Sequence, residues 1–88
     1  MRGRNEQLVR VLQMLGDLGR RGGCDVYELA ARYETSTRTI RRDLDALMNA
    51  GIPLKREAGD GSRVRWSIDL ESPRARELAR LARLPQHE

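Results

Sequence analysis

The sequence predicts a mostly helical α+β fold: three short helices, one β-hairpin and an additional C-terminal helix. Three observations carry that reading. Apolar residues recur at spacings of three and four over 5–18 and again over 37–50. Between 54 and 68 the period changes to two. Glycine, proline and small polar residues fall between these stretches, where helix ends and turns need them. With 88 residues the chain is sized for one domain and a thin core, burying about 60–65% of its unfolded surface. Residues 1–70 are expected to form that domain, and 71–88 a helix with a short tail.

Taken in order, residues 5–18 read as the first helix. Leu8, Val11, Leu12, Leu15 and Leu18 make one apolar stripe, with Asn5 as N-cap and Glu6 in the first turn. Gly19 ends it, and Arg20-Arg21-Gly22-Gly23 is a loop leading to a short extended piece at Cys24. Asp25-Val26-Tyr27-Glu28 has the form of a capping box, a small acceptor followed three residues later by glutamate. The second helix runs from it to about Tyr33, with Val26, Leu29, Ala30 and Tyr33 on one face.

Glu34-Thr35 makes a tight turn, and Ser36 caps a third helix over about 37–50. Its inward face is Ile40, Leu44, Leu47 and Met48. With Ile40 at zero, Arg38, Arg42, Asp45 and Asn49 lie within about 40 degrees of the opposite pole, and Arg41 flanks them. Gly51 is the expected left-handed stop, Ile52 its apolar companion and Pro53 a block to continuation. Residues 54–68 are the hairpin. Val64, Trp66 and Ile68 alternate with Arg63, Arg65 and Ser67, and Gly59-Asp60-Gly61-Ser62 is the loop. Ser72-Pro73 opens the last helix, which stops before Pro85.

Charge and composition narrow the function. Lys+Arg is 17 against Asp+Glu 13, for a net charge of +4. Lys55 is the one lysine; every other cation is arginine, which takes phosphate and guanine edges bidentately. Aromatics are limited to Tyr27, Tyr33 and Trp66, too few for a single-strand binder built on stacking platforms. One cysteine excludes a disulfide framework, and one cysteine with one histidine cannot make a tetrahedral zinc site. No signal peptide or membrane-spanning run is visible, so the expectation is a cytoplasmic, nucleoid-associated protein. Nothing resembles an active site: no histidine inside the fold, no phosphate loop after a strand, no carboxylate pair in a plausible cleft. No enzyme, metal or cofactor is expected.

Helix, short helix, tight turn, polar-faced helix and hairpin are in the order of a winged helix-turn-helix. Such a third helix fits the major groove of B-DNA with its N-terminal side chains at the base edges. Here those are Thr37, Arg38, Arg41 and Arg42. The hairpin wing at 54–68 carries Lys55, Arg56, Arg63 and Arg65 for the adjacent backbone or minor groove. Thr37 and Thr39 either donate to phosphate or satisfy the helix's first turn. Asp43 lies toward the core side and reads as a partner for a neighbouring arginine. Trp66 reads as packing, Tyr33 as core with a hydroxyl free for backbone or phosphate, Cys24 as a small buried hydrophobe, and His87 as exposed and idle.

Ser36-Thr37-Arg38-Thr39-Ile40-Arg41-Arg42-Asp43-Leu44-Asp45-Ala46-Leu47, with Ala50-Gly51-Ile52-Pro53-Leu54, resembles the winged helix of bacterial DeoR-type regulators. The Gly51-Ile52-Pro53-Leu54 continuation is similar to the DNA-binding domain of WYL-domain regulators, as is Glu28-Leu29-Ala30-Ala31-Arg32-Tyr33. The likeness covers about 5–68. It implies sequence-specific binding of double-stranded DNA and control of transcription, usually as a dimer on an inverted repeat. The chain departs from the pattern in the turn, where Glu34 and Thr35 replace a small residue or glycine and a valine. A left-handed Glu34 costs about 1 kcal/mol relative to glycine. The sensory domain of those regulators is not among the 88 residues, and no effector can be named. Ala75, Leu78, Leu81 and Ala82 on the last helix are therefore the dimerisation candidates. The alternatives are folding back on Leu8, Leu12 and Leu15, or a linker. The competing functional class is a winged-helix protein-interaction adaptor that does not bind DNA.

Overall fold

The computed structural model describes residues 2–61 and 63–83, with side chains described for 5–61 and 63–81. The order is α1 (Arg2–Leu18), α2 (Val26–Arg32), α3 (Thr37–Asn49), β1 (Leu54–Ala58), β2 (Val64–Ile68) and α4 (Pro73–Arg83). This is a winged-helix α+β fold with one helix added. Ser62, the helix stop at Leu84 and Pro85, and His87 lie outside the described residues, as does the side chain of Ala82.

α1 starts earlier than its sequence suggested. The helix already includes Arg2, so Asn5 lies within it and is not its cap. Gln7 and Arg10, one turn apart, both reach Asp43 of α3, and this tertiary anchoring holds the first half of α1 helical. The buried line on α1 is also rotated from the predicted stripe. Met14 and Leu18 are fully buried, with Val11 and Leu15 beside them, whereas Leu8 and Leu12 are each 58% exposed. The apolar stripe is wider than the surface that α3 and β2 offer it, so its far edge stays in solvent.

α2 begins with the predicted capping box. The Asp25 carboxylate accepts from Glu28 N–H at 2.8 Å, and Glu28 accepts from Asp25 N–H at 3.1 Å. Glu34 has φ +53, so the turn into α3 accepts a left-handed glutamate where glycine would fit without cost. Ser36 then caps α3 by accepting from Thr39 N–H at 3.0 Å. α3 ends in a full Schellman arrangement. Gly51, at φ +96, donates to the Met48 carbonyl, and Ile52 donates to that of Leu47, both at 3.0 Å.

The core joins Met14 and Leu18 of α1, Cys24, Val26, Leu29 and Ala30 around α2, and Ile40, Leu44 and Leu47 of α3. Met48, expected inside, is 39% exposed because it lies past the line along which α3 meets α2. Trp66 and Ile68 of β2 close the core from the hairpin side, only half-buried themselves. Leu54 pairs with Ile68 and Ala58 with Val64 across the antiparallel hairpin. Cys24 forms an extra bridge to β2: its N–H donates to the Trp66 carbonyl at 2.9 Å and its carbonyl accepts from Trp66 N–H at 2.7 Å. A side chain at Gly23 would run into that same Trp66 carbonyl, so glycine is needed for the loop to approach β2. α4 is capped by Ser72, whose Oγ accepts from Ala75 N–H at 3.0 Å. It makes only marginal contact with any other element, so the fold-back onto α1 is not the arrangement adopted.

Candidate nucleic-acid interface

The site begins with three buried aspartates, because they decide which arginines are available. Asp43 faces the core and accepts from Arg10 Nε at 2.5 Å and Nη2 at 3.2 Å, and from Gln7 at 3.3 Å. Its partner is thus an arginine of α1, not one adjacent on α3. Asp17 accepts from Arg32 and from the Tyr33 hydroxyl. Tyr33 therefore points its hydroxyl at a carboxylate inside the fold, not at backbone or phosphate. Burial and that hydrogen bond push its pKa up to about 12. Asp25 accepts from Arg63 Nη1 at 3.1 Å on the oxygen not used for capping. Each buried acid is neutralised by arginine, and no buried side-chain polar atom among the described residues lacks a partner.

The α3 arginines stand apart from this network. Arg38, Arg41 and Arg42 are exposed, and among the described residues none has a carboxylate within ion-pair distance. They project from the first half of a helix whose core side is Ile40, Leu44 and Leu47. Thr37 and Thr39 are half-buried at its start, and the Thr39 hydroxyl is 3.1 Å from Ser36 Oγ. Thr39 thus takes part in the cap, while its hydroxyl keeps capacity for a further acceptor.

The wing residues divide. Lys55 is exposed and 3.8 Å from Glu57. Arg56 lies over the Trp66 ring at 5.6 Å, directly across the hairpin from it, and has no acidic partner among the described residues. Arg63 is stacked over Tyr27 at 4.9 Å and held by Asp25, yet half of its side chain remains exposed. Arg65 is bound into the structure: Nε donates to the Gly22 carbonyl and Nη2 to that of Gly23, both at 2.7 Å, and the group pairs with Glu28 at 3.3 Å. It fastens the wing to the α1–α2 loop and to α2. Sequence alternation placed Arg65 on the outer face but had no means of anticipating those carbonyls, 42 and 43 residues away.

The last-helix candidates are also placed. Ala75 and Leu78 are half-buried and Leu81 is 59% exposed. Cys24 is buried, and burial first, then nearby Asp17 and Glu28, raise its pKa to about 11, so its thiol stays protonated at neutral pH. No helix of the described residues is long and apolar enough to cross a membrane.

A family model described as a DeoR-like helix-turn-helix domain matches residues 4–61, from the first turns of α1 to the hairpin loop. No curated protein and no solved structure matches the chain.

Proposed function

From the chain's membership of the DeoR-like helix-turn-helix family, whose members are DNA-binding regulators, we propose that it is a sequence-specific binder of double-stranded DNA that controls transcription. The first half of α3 enters the major groove and presents Thr37, Arg38, Arg41 and Arg42, with Thr39 on the flanking phosphate. Lys55, Arg56 and Arg63 of the wing meet the adjacent backbone or minor groove, and Arg65 keeps the wing in place. Two copies joined through Ala75, Leu78, Leu81 and Ala82 of α4 read an inverted repeat in the nucleoid.

The observation that carries this reading is the sorting of arginines. Arg10 and Arg32 are committed to Asp43 and Asp17 and Arg63 is partly held by Asp25, while Arg38, Arg41 and Arg42 of α3 have no carboxylate within ion-pair distance among the described residues. An interaction adaptor would present an apolar or acidic face there. Selection of bound duplexes from a random pool tests the reading. A recovered inverted repeat, bound with an affinity that falls steeply with salt, is the expected result. Arg42→Ala should lower specific affinity by about 1–3 kcal/mol and relax the preference at one base pair, with the circular dichroism unchanged. Unaltered operator affinity in that variant would remove α3 from the recognition role.

A further inference from the structure

Between α3 and the wing lies a cleft of about 230 Å³ lined by Arg41, Arg56, Arg63, Tyr27, Trp66 and the two valines Val26 and Val64. We propose that it is the seat of one DNA backbone phosphate, gripped by Arg41 from α3, Arg56 from β1 and Arg63 from the start of β2. Base reading then falls to Arg38 and Arg42. The assignment rests on the DNA-binding reading above and divides the labour within it.

Charge supports the assignment first. Three guanidinium groups line the cleft and no carboxylate does; Asp25, outside the lining, holds Arg63 at 3.1 Å. Arg41 and Arg56 have no acidic partner among the described residues. Cations gathered in a concave, partly apolar site focus potential there and favour an anion. Geometry supports it next. Arg56 lies over Trp66 at 5.6 Å and Arg63 over Tyr27 at 4.9 Å. A guanidinium lying over a ring keeps its N–H edge accessible, and that edge matches the oxygens of a phosphate; Arg63 has Nη1 on Asp25 and keeps its other N–H groups for this. The aromatic faces thereby hold two of the three arginines in position before DNA arrives. The cleft is smaller than the roughly 300–1,000 Å³ of a small-molecule site, which suits a single anionic group. Finally, the cleft lies between the helix proposed to enter the groove and the wing proposed to lie beside it. The strand of backbone bordering that groove passes between them. Arg38 and Arg42 do not line the cleft and lie toward the outer pole of α3.

The test uses the duplex recovered by selection, with each phosphate replaced in turn by a neutral methylphosphonate. For the wild type, one position per half-site should weaken binding about tenfold. In Arg41→Gln/Arg56→Gln, whose changes lie on exposed side chains, the penalty at that position should shrink to what Arg63 alone supports while the others keep their effects. The salt slope should fall by no more than about 0.9, one phosphate, and not by the roughly 1.8 expected if each arginine held its own. Arg41→Gln alone should weaken all sequences alike and leave base preference intact. The proposal is overturned if Arg41→Gln relaxes one base position, or if every methylphosphonate penalty survives in the double variant. Saturable binding of inorganic phosphate without DNA, lost in Arg41→Gln, would make this a free-anion site and also overturn it. A selection that enriches no duplex would instead defeat the DNA-binding reading itself, a failure distinct from an enriched duplex that ignores Arg41 and Arg56.

Discussion

At the scale of single residues, this small domain depends on charges placed where a thin core would be expected to hold apolar groups. Asp43 is fully buried and held by Arg10, itself largely buried. Removing one partner of such a pair strands the other charge, which costs more than the pair contributes. Arg10 keeps 17% of its side chain in solvent, so Asp43→Asn should lower stability by about 2–3 kcal/mol in urea unfolding, less than the roughly 3–5 kcal/mol of a fully buried pair, with no direct effect on DNA contacts. The inward direction of Asp43 was legible from its helical angle. Its partner was not, because Arg10 is 33 residues away and on another helix. Asp17 gave no distinct sequence signal: it is one of two acids in α1, the other being Glu6. Alkaline pH offers a second test. The Cys24 thiol is raised from 9.0 to about 11 and the Tyr33 hydroxyl from 10.0 to about 12. Both are neutral acids whose ionisation the fold resists, so the unfolded chain loses these protons first. Their contribution is complete below pH 9 and is lost as pH rises through the 9–12 window. Unfolding free energy should fall across that window, and Cys24→Ala and Tyr33→Phe should each flatten the fall.

At the scale of elements, the wing owes its position to the acids at the start of α2. Asp25 both caps α2 and holds Arg63, and Glu28 both closes the capping box and holds Arg65. The N-terminus of α2 attracts these carboxylates through its dipole, and they in turn attract the hairpin. Arg65→Ala should loosen the hairpin more than it weakens any phosphate contact. Faster amide exchange at Cys24 and Trp66, with the salt slope of duplex binding unchanged, is the expected signature. A slope reduced by a full phosphate would mean that Arg65 leaves its carbonyls to bind DNA. The helices themselves were legible because caps and stops are local. Asp25, Ser36, Gly51 and Ser72 act within four residues of where they stand. The inward line of α1 was not, because Leu8, Leu12 and Met14 are equally apolar and only α3 and β2 decide which of them is covered.

At the scale of the whole molecule, α4 makes marginal contact with the domain and keeps Leu81 in solvent. Its 11 residues are too few for a stable isolated helix in water, so a partner surface is needed to hold it. A second copy supplies one in the assembly proposed above. Leu78→Asp places a charge in that seam. The variant should run as a folded monomer by light scattering and lose cooperative binding to an inverted repeat. A wild type already monomeric at tens of micromolar would end the dimer proposal.

Sequence alone determined the order of elements, the caps of α2, α3 and α4, the stops of α1 and α3, and the cationic outer face of α3. Each of these follows from interactions within a turn or two of the chain, which spacing records directly. The tertiary structure alone decided how the arginines are divided. Arg10, Arg32 and Arg65 are committed to internal acceptors, and Arg63 is shared between Asp25 and the cleft. Arg41 and Arg56 line one cleft from a helix and a strand that share no sequence neighbourhood. Arginine looks the same in sequence whether it neutralises a buried aspartate or awaits a phosphate. The distinction lies in which acid the folded chain brings within about 4 Å, and that distance is set by packing between elements.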